Sequence, residues 1–236
     1  MKTAQILIIG DEILSGRTAD TNSHFLTKSL SRLGIRVETI VVIPDNVVFI
    51  SQWVNKHHGF SDYLFICGGI GGTPDDVTRL AVARSLGVPL VLHKVAAEIL
   101  LTYYKDRANP DRMSMAELPL GCELIENSVT KAPGFKIKNI YVFAGIPIIL
   151  YAMFESIKKD FEGGTPLFEM EINLSVGEGE IAQFMKQINK EYPQLELGSY
   201  PNLEEKKGYR TQLVFRSKIQ DVVSQALARF KELSKM

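Results

Sequence analysis

Residues 62–78, DYLFICGGIGGTPDDVT, place four glycines directly after an apolar run and before a segment with helical character. The run Asp62–Cys67 predicts a buried strand, and Thr73–Leu86 predicts a helix that Gly87 ends. Glycine lets the backbone approach a ligand closely, and successive amides before a helix favour an anion. Neither the P-loop pattern nor the dinucleotide fingerprint is present, so this is predicted to be a phosphate site of another kind. The candidate ligand-binding residues here are Gly68, Gly69, Gly71, Thr73 and Thr78.

The same alternation of strand and helix continues on both sides of this segment. Apolar runs predict strands at 5–9, 36–43, 62–67 and 140–144, and helical spacing predicts helices at 20–33, 46–57, 73–86, 96–105 and 147–159. Such alternation is typical of a mostly parallel sheet with helices on both faces. The expected fold class is therefore α/β, with three layers.

The rhythm changes after residues 162–166, EGGTP, whose glycines and proline are typical of a linker. The following pattern predicts strands at 168–175, 195–200 and 209–216, and helices at 180–192 and 219–233. This β-α-β-β-α order predicts a small two-layer α+β domain. The domains are expected to cover residues 1–162 and 166–236.

Composition excludes several classes of protein. The 236 residues are 45% hydrophobic and 23% charged, which is typical of a globular chain. The 27 basic and 27 acidic residues leave no basic excess for nucleic acid, and no apolar run is long enough to span a membrane. The N-terminus is interpreted as a buried strand rather than a signal peptide, and the two cysteines form no metal pattern, so we expect a cytoplasmic protein.

A second polar segment, GDEILSGR at residues 10–17, follows the first predicted strand. In a parallel sheet, ligands bind beyond the carboxyl ends of the strands. Gly10, Asp11 and Glu12 are therefore candidates for this site, where the two carboxylates could hold a hard cation such as Mg²⁺. The alternative is that these carboxylates only accept bonds from local backbone amides.

Asp75 and Asp76 are the candidate catalytic and metal-binding pair of the glycine segment. Thr73 at N-cap, Pro74 at N1 and Asp76 at N3 would form a capping arrangement, which gives Asp76 a structural alternative. Two carboxylates beside a bound phosphate would repel it, and a bridging divalent cation would turn that repulsion into attraction. The sequence thus predicts metal-dependent phosphate chemistry.

Three further residues are candidates for ligand contacts. Asn22 lies at a predicted helix start that Asp20 can cap, so its own side chain is available to a ligand. Lys131 could contact a phosphate, although a single lysine is usually a solvated side chain. Gly145, followed by Pro147, is typical of a turn into a helix, and turn formation alone could explain it.

Taken in order, these segments resemble one family. The runs GDEILSGRTADTNSHFLTKSLSRLGI, CGGIGGTPDDVTRLAVARSLG and APGFKIKNIYVFAGIPIILYAMFESI are similar to the N-terminal domain of competence/damage-inducible protein A (CinA), a MoaB/Mog-type molybdopterin-binding domain. LELGSYPNLEEKKGYRTQLVFRS resembles the α+β module that follows in those proteins and in eukaryotic FAD synthase. Family loops usually carry proline where this chain has Gly72, which predicts a looser loop.

The resemblance implies a metal-dependent hydrolase of ADP-ribose-like or FAD-like diphosphates, with Mg²⁺, Co²⁺ or Ni²⁺ as the cation. It implies Asp11, Asp75 and Asp76 as catalytic and metal residues, with Glu12, Gly68 and Gly69 at the ligand. Two alternatives stay open: molybdopterin binding with adenylyl transfer, and a non-catalytic nucleotide-binding module. It also implies a homo-oligomer with a phosphate-bearing small molecule as its partner.

Overall fold

The computed structural model describes residues 2–161, 167–203 and 208–235. The chain forms two compact units, which divide between residues 164 and 165. The predicted linker at 162–166 lies outside the described residues. Within the described ranges, no helix combines the length and the apolar character that crossing a bilayer requires.

The first unit is built on a six-stranded sheet. Its strands are β1 (Thr3–Ile9), β2 (Arg36–Ile43), β3 (Tyr63–Cys67), β6 (Glu123–Ile125), β7 (Gly134–Ile137) and β8 (Ile140–Phe143), while β4 (Leu90–Leu92) and β5 (Glu117–Pro119) form a separate two-stranded sheet. The order in the large sheet is β2-β1-β3-β8-β7-β6. The pairs β1–β2, β1–β3 and β3–β8 are parallel, and the pairs that β7 makes with β8 and β6 are antiparallel.

Helices connect these strands and cover the sheet. They are α1 (Asp11–Leu14), α2 (Asn22–Arg32), α3 (Val47–His57), α4 (Thr78–Leu86), α5 (Lys94–Tyr104), α6 (Pro110–Ser114) and α7 (Pro147–Ile157), with 3-10 turns at Lys105–Arg107 and Lys158–Asp160. Every residue of β3 and β8 is buried, because a parallel strand inside such a sheet is covered on both faces. The predicted α/β class with a mostly parallel sheet is confirmed.

The second unit has the predicted β-α-β-β-α order. It comprises β9 (Phe168–Leu174), α8 (Glu178–Glu191), β10 (Glu196–Pro201), β11 (Thr211–Ser217) and α9 (Gln220–Ser234). Its sheet is antiparallel in the order β10-β11-β9. Leu213, Phe215 and Phe230 are fully buried in its own hydrophobic core.

The helix start predicted at Thr73 is wrong, because α4 begins only at Thr78. The amide of Asp76 donates to the carbonyl of Thr73 at 2.9 Å, which closes a turn. The amide of Thr78 donates to the carbonyl of Gly69 at 2.9 Å, so the first helical residue is tied back to the glycines. The carboxylate of Asp76 does accept from the amide of Thr73 at 2.9 Å, but within this turn and ahead of the helix.

Arg79 on α4 holds the glycine segment in place by hydrogen bonds. Its side chain is buried, and its guanidinium donates to the carbonyl of Gly71 at 2.8 Å. The same group donates to the carbonyls of Ser114 and Glu117, which lie at the end of α6 and the start of β5. One side chain thus joins the segment after β3 to the chain between α6 and β5.

We expect Arg79→Met to lower the free energy of unfolding by about 2 kcal/mol, since it removes a charged donor that bonds three backbone carbonyls. Arg84→Met on the exposed side of the same helix should change it by less than about 0.5 kcal/mol. Urea unfolding followed by the fluorescence of Trp53, the single tryptophan, which lies on α3, measures both. Equal midpoints for the two variants would contradict the role of Arg79.

Candidate functional site

A cavity of about 540 Å³ opens at the carboxyl ends of three adjacent parallel strands, β1, β3 and β8. The residues at or just after these ends, Ile9, Gly68 and Ala144, all line it. Strands that run parallel end at the same edge of a sheet, so the loops that follow them meet there. This is the position that the sequence predicted for the site.

Residues 68–72, here called the glycine loop, contribute Gly68, Gly69, Ile70 and Gly71 to the cavity lining. Gly68 has a φ of +107°, and a Cβ there would lie 2.2 Å from the carbonyl oxygen of Ile9. Only glycine therefore lets the chain leave β3 this close to β1. On the other side, a Cβ on Gly145 would lie 3.3 Å from the Cα of Gly68.

Gly72 does not loosen the loop as the sequence predicted. A Cβ at this position would lie 2.3 Å from the carbonyl oxygen of Asp111 on α6. The backbone of the loop therefore lies directly against the backbone of α6, at a distance that only glycine permits. This contact and the guanidinium of Arg79 together hold the loop against α6.

The cavity lining is acidic. Glu12, Asp45, Asp75 and Asp76 line it, and none of its described lining residues is Lys, Arg or His. The charges of Asp11, Glu12 and Asp75 all act on Asp45. These carboxylates thus share one electrostatic environment at the mouth of the cavity.

Asp45 is the clearest electrostatic feature of this group, and sequence analysis missed it. Burial raises its pKa above the ordinary aspartate value, the three neighbouring carboxylates raise it further, and a hydrogen bond from the amide of Asp11 opposes the rise. That amide donates to Asp45 at 2.9 Å. Asp45 follows the end of β2, so the rule that led to Asp11 also applied to it. No glycine motif drew attention to it.

Asp75 and Asp76 are organised by Thr73. The amide and the hydroxyl of Thr73 donate to Asp76. Hydrogen bonding from the Thr73 side chain also holds the pKa of Asp75 below its ordinary value. Asp75 and Asp76 line the cavity. Thr73 is not among the lining residues, and its role is to hold these two carboxylates by hydrogen bonds.

The carboxylates do not form a ready-made metal cage. Across residues 2–161, 167–203 and 208–235, no three His, Cys, Asp or Glu side chains are grouped closely enough to hold a metal ion on their own. Asp11 is exposed and lies outside the cavity lining, although its amide holds Asp45 and its charge acts on it. The donor chemistry suits a hard cation, but the protein alone does not complete its coordination.

Some predicted ligand residues support the loops and do not line the cavity. Thr78 is fully buried beneath the glycine loop, where a Cβ on Gly69 would lie 2.3 Å from its hydroxyl oxygen. Gly10 is covered by the carboxylate of Glu12, which would lie 2.8 Å from a Cβ there. Gly145, by contrast, lines the cavity directly.

Asn22 borders a side pocket of about 40 Å³ next to the cavity. Its amide nitrogen donates to the carbonyl of Gly145 at 2.6 Å, which holds the turn after β8. Its buried Oδ1 has no hydrogen-bond partner in the described part of the chain. Asn22 thus joins α2 to the cavity wall and keeps one acceptor unused.

Lys131 is not brought to the cavity. It is exposed and left-handed, with φ of +61°, whereas its neighbours Thr130 and Ala132 line the cavity. The side chain of Asn127, itself only 2% exposed, bonds Thr130 and Ala132 and so sets this turn. Spacing along the chain gave no sign of this geometry.

The remaining cavity wall also escaped sequence analysis. It includes Tyr104 at the end of α5 and Met115 just after α6. Apolar residues from the glycine loop and from the start of α7 adjoin it, namely Ile70, Ile146 and Ile149. In the sequence, these residues occupy ordinary helix and turn positions. Only the tertiary fold brings them to the cavity.

Both units match known protein families. Residues 5–162 match the family model described as a probable molybdopterin binding domain, and residues 166–235 match the middle domain of FAD synthase. A protein of Archaeoglobus fulgidus is 34% identical over 228 residues, covering 97% of this chain and 96% of that protein. A probable FAD synthase of Caenorhabditis elegans is 28% identical over 98% of this chain, which spans 50% of that protein.

A solved structure agrees with these matches. The crystal structure of the protein CinA, of unknown function, from Thermoplasma acidophilum is 31% identical, with a TM-score of 0.64. The alignment covers 67% of this chain and 98% of that one. The resemblance predicted from the sequence is thereby confirmed, and the chain belongs to the molybdopterin-binding (MoaB/Mog) domain family as a CinA-like member.

Proposed function

We propose that the cavity binds a phosphate-bearing nucleotide together with a divalent cation, and that it hydrolyses the diphosphate bond of ADP-ribose-like or FAD-like compounds. The observation that carries this proposal is the pairing of the glycine loop with four carboxylates and no described basic residue in the lining. The glycine loop offers backbone groups at close range. The carboxylates offer oxygen ligands to a cation.

Electrostatics makes the cation necessary in this proposal. Two like charges about 4 Å apart repel by about 4 kcal/mol at an effective dielectric constant near 20. A diphosphate beside Asp45, Glu12 and Asp75 would experience several such repulsive energies. A divalent cation between the phosphates and the carboxylates replaces this repulsion with attraction.

The cation would enter with the substrate. Mg²⁺ is usually bound in proteins by one or two carboxylates, several waters and substrate phosphates, without a dedicated protein cage. That mode suits a cavity whose described residues include no three-ligand group. Asp45 and Asp75 are its proposed ligands, with Asp11 and Asp76 beside them. When bound, such a cation neutralises phosphate charge and lowers the pKa of its water.

The relatives support the ligand class. The matched models are named for molybdopterin binding and for FAD synthase, and both names point to phosphate-bearing cofactors or nucleotides. On that ground we propose nucleotide or cofactor chemistry for this chain. Molybdopterin-dependent adenylyl transfer and binding without turnover are the competing outcomes of the assay below.

We expect the purified chain to release AMP from ADP-ribose or FAD only when Mg²⁺, Co²⁺ or Ni²⁺ is present. Asp75→Asn should lower turnover by about tenfold to a hundredfold, because it removes a ligand charge at the exposed mouth. Asp106→Asn, an exposed position outside the cavity lining, is the matched control and should leave turnover unchanged. Chromatographic detection of AMP measures the turnover of the natural chain and of the two variants.

Full turnover in EDTA, or an Asp75→Asn enzyme as fast as the control, would contradict the metal-dependent reaction. ATP consumption that requires added molybdopterin would favour adenylyl transfer. Tight binding of ADP-ribose without AMP release would favour a binding module.

Asp45 gives the proposal a pH-dependent signature. Because its folded-state pKa lies above the ordinary value, the folded protein holds this proton more tightly than the unfolded chain does. The destabilisation from ionised Asp45 therefore grows as pH rises from the ordinary aspartate range through the raised pKa, and it is absent at lower pH. Asparagine keeps an oxygen for the amide of Asp11 and removes the charge.

We expect Asp45→Asn to unfold at a higher urea concentration than the natural chain at pH 7 in EDTA, with the difference vanishing below the ordinary aspartate range. Added Mg²⁺ should stabilise the natural chain more than the variant and so narrow the gap. Asp106→Asn should show neither effect. A variant less stable than the natural chain at pH 7 in EDTA would show that the carboxylates do not repel one another as argued.

A further inference from the structure

The cavity is larger than a diphosphate requires. Its volume of about 540 Å³ lies within the range of about 300–1,000 Å³ that is typical of sites for whole cofactors and drug-sized molecules. Its carboxylates account for only part of the lining. Much of the rest is apolar and includes Tyr104, Met115 and Ile70.

Tyr104 and Met115, here called the aromatic wall, present an ordered surface. The guanidinium of Arg112 lies over the ring of Tyr104, 4.7 Å from its centroid. The rings of Tyr103 and Tyr104 form a T-shaped pair, with 5.0 Å between centroids. Met115 is 9% exposed, so its position is set by packing. These contacts restrict the Tyr104 ring, which lines the cavity.

The aromatic wall is tied to the glycine loop at a fixed distance. Arg79 bonds Gly71 of the loop and the carbonyl of Ser114, which directly precedes Met115. Gly72 lies against the backbone of Asp111, within the same α6 that carries Arg112. A ligand that spans from loop to wall therefore meets two surfaces whose separation the fold determines.

We propose that the aromatic wall is the subsite for the fused heteroaromatic ring of the ligand, a purine or an isoalloxazine, whose phosphates lie at the glycine loop. This inference rests on the proposed function, because it assumes a phosphate-bearing ligand in the cavity. Tyrosine faces stack on nucleobase-type rings, and methionine sulfur packs favourably against aromatic edges. Tyr104 is thus a specificity-determining residue, outside the reacting atoms.

The test is calorimetric titration of the full chain in Mg²⁺ with ADP, FMN and inorganic pyrophosphate. The natural chain should bind ADP or FMN more tightly than pyrophosphate. Tyr104→Leu should weaken binding of the ring-bearing ligand by roughly tenfold to a hundredfold, while pyrophosphate affinity is retained. Tyr104→Phe should bind like the natural chain, and Phe60→Leu, at an exposed aromatic residue outside the cavity lining, is the matched control.

The outcomes separate the two proposals. The ligand whose affinity falls in Tyr104→Leu identifies the ring, since ADP reports a purine and FMN an isoalloxazine. Unchanged ADP and FMN affinity in Tyr104→Leu, or an equal loss for pyrophosphate, would overturn the ring subsite. If none of the three ligands binds the natural chain in Mg²⁺, the proposed function itself fails.

Discussion

The clustering of carboxylates at the carboxyl edge of the sheet, with no basic residue in the described cavity lining, is the constraint on which this site depends. Burial raises the pKa of Asp45, and the charges of Asp11, Glu12 and Asp75 raise it further. No described lining residue supplies a positive charge, and we therefore propose that an anion enters this cavity together with a cation. In that proposal the carboxylates hold the cation, and the cation brings the anion to the backbone of the glycine loop.

The order of the strands in the sheet brings these carboxylates together. Parallel neighbours β1, β3 and β8 end together, and a glycine follows each end within two residues, namely Gly10, Gly68 and Gly145. Gly68 leaves β3 against the carbonyl of Ile9, and Gly72 lies against α6. The buried guanidinium of Arg79 bonds backbone carbonyls, and Arg79 is not among the cavity-lining residues, so its charge does not line the cavity.

The sequence was informative where a pattern is long or local. Apolar runs located β1, β2, β3 and β8, and the glycines located the loop. β8 is also short, but its four residues are all apolar and buried. β4, β5, β6 and β7 have three or four residues each, and the sequence analysis did not predict them. Tyr104 and Met115 reach the cavity only through tertiary packing, whereas Asp45 follows the end of β2 and could have been found by the strand-end rule. The helix start at Thr73 was misplaced because the tie from Thr78 to Gly69 is a loop contact that capping rules do not include.

We propose that an anionic ligand enters this cavity only with a cation. The decisive experiment is calorimetric titration of ADP-ribose into the natural chain at pH 7, once in EDTA and once in saturating Mg²⁺. We expect the affinity to be about a hundredfold or more tighter in Mg²⁺, as the reversal of one repulsive energy of about 4 kcal/mol implies. Equal affinity in EDTA and in Mg²⁺ would show that the ligand needs no cation.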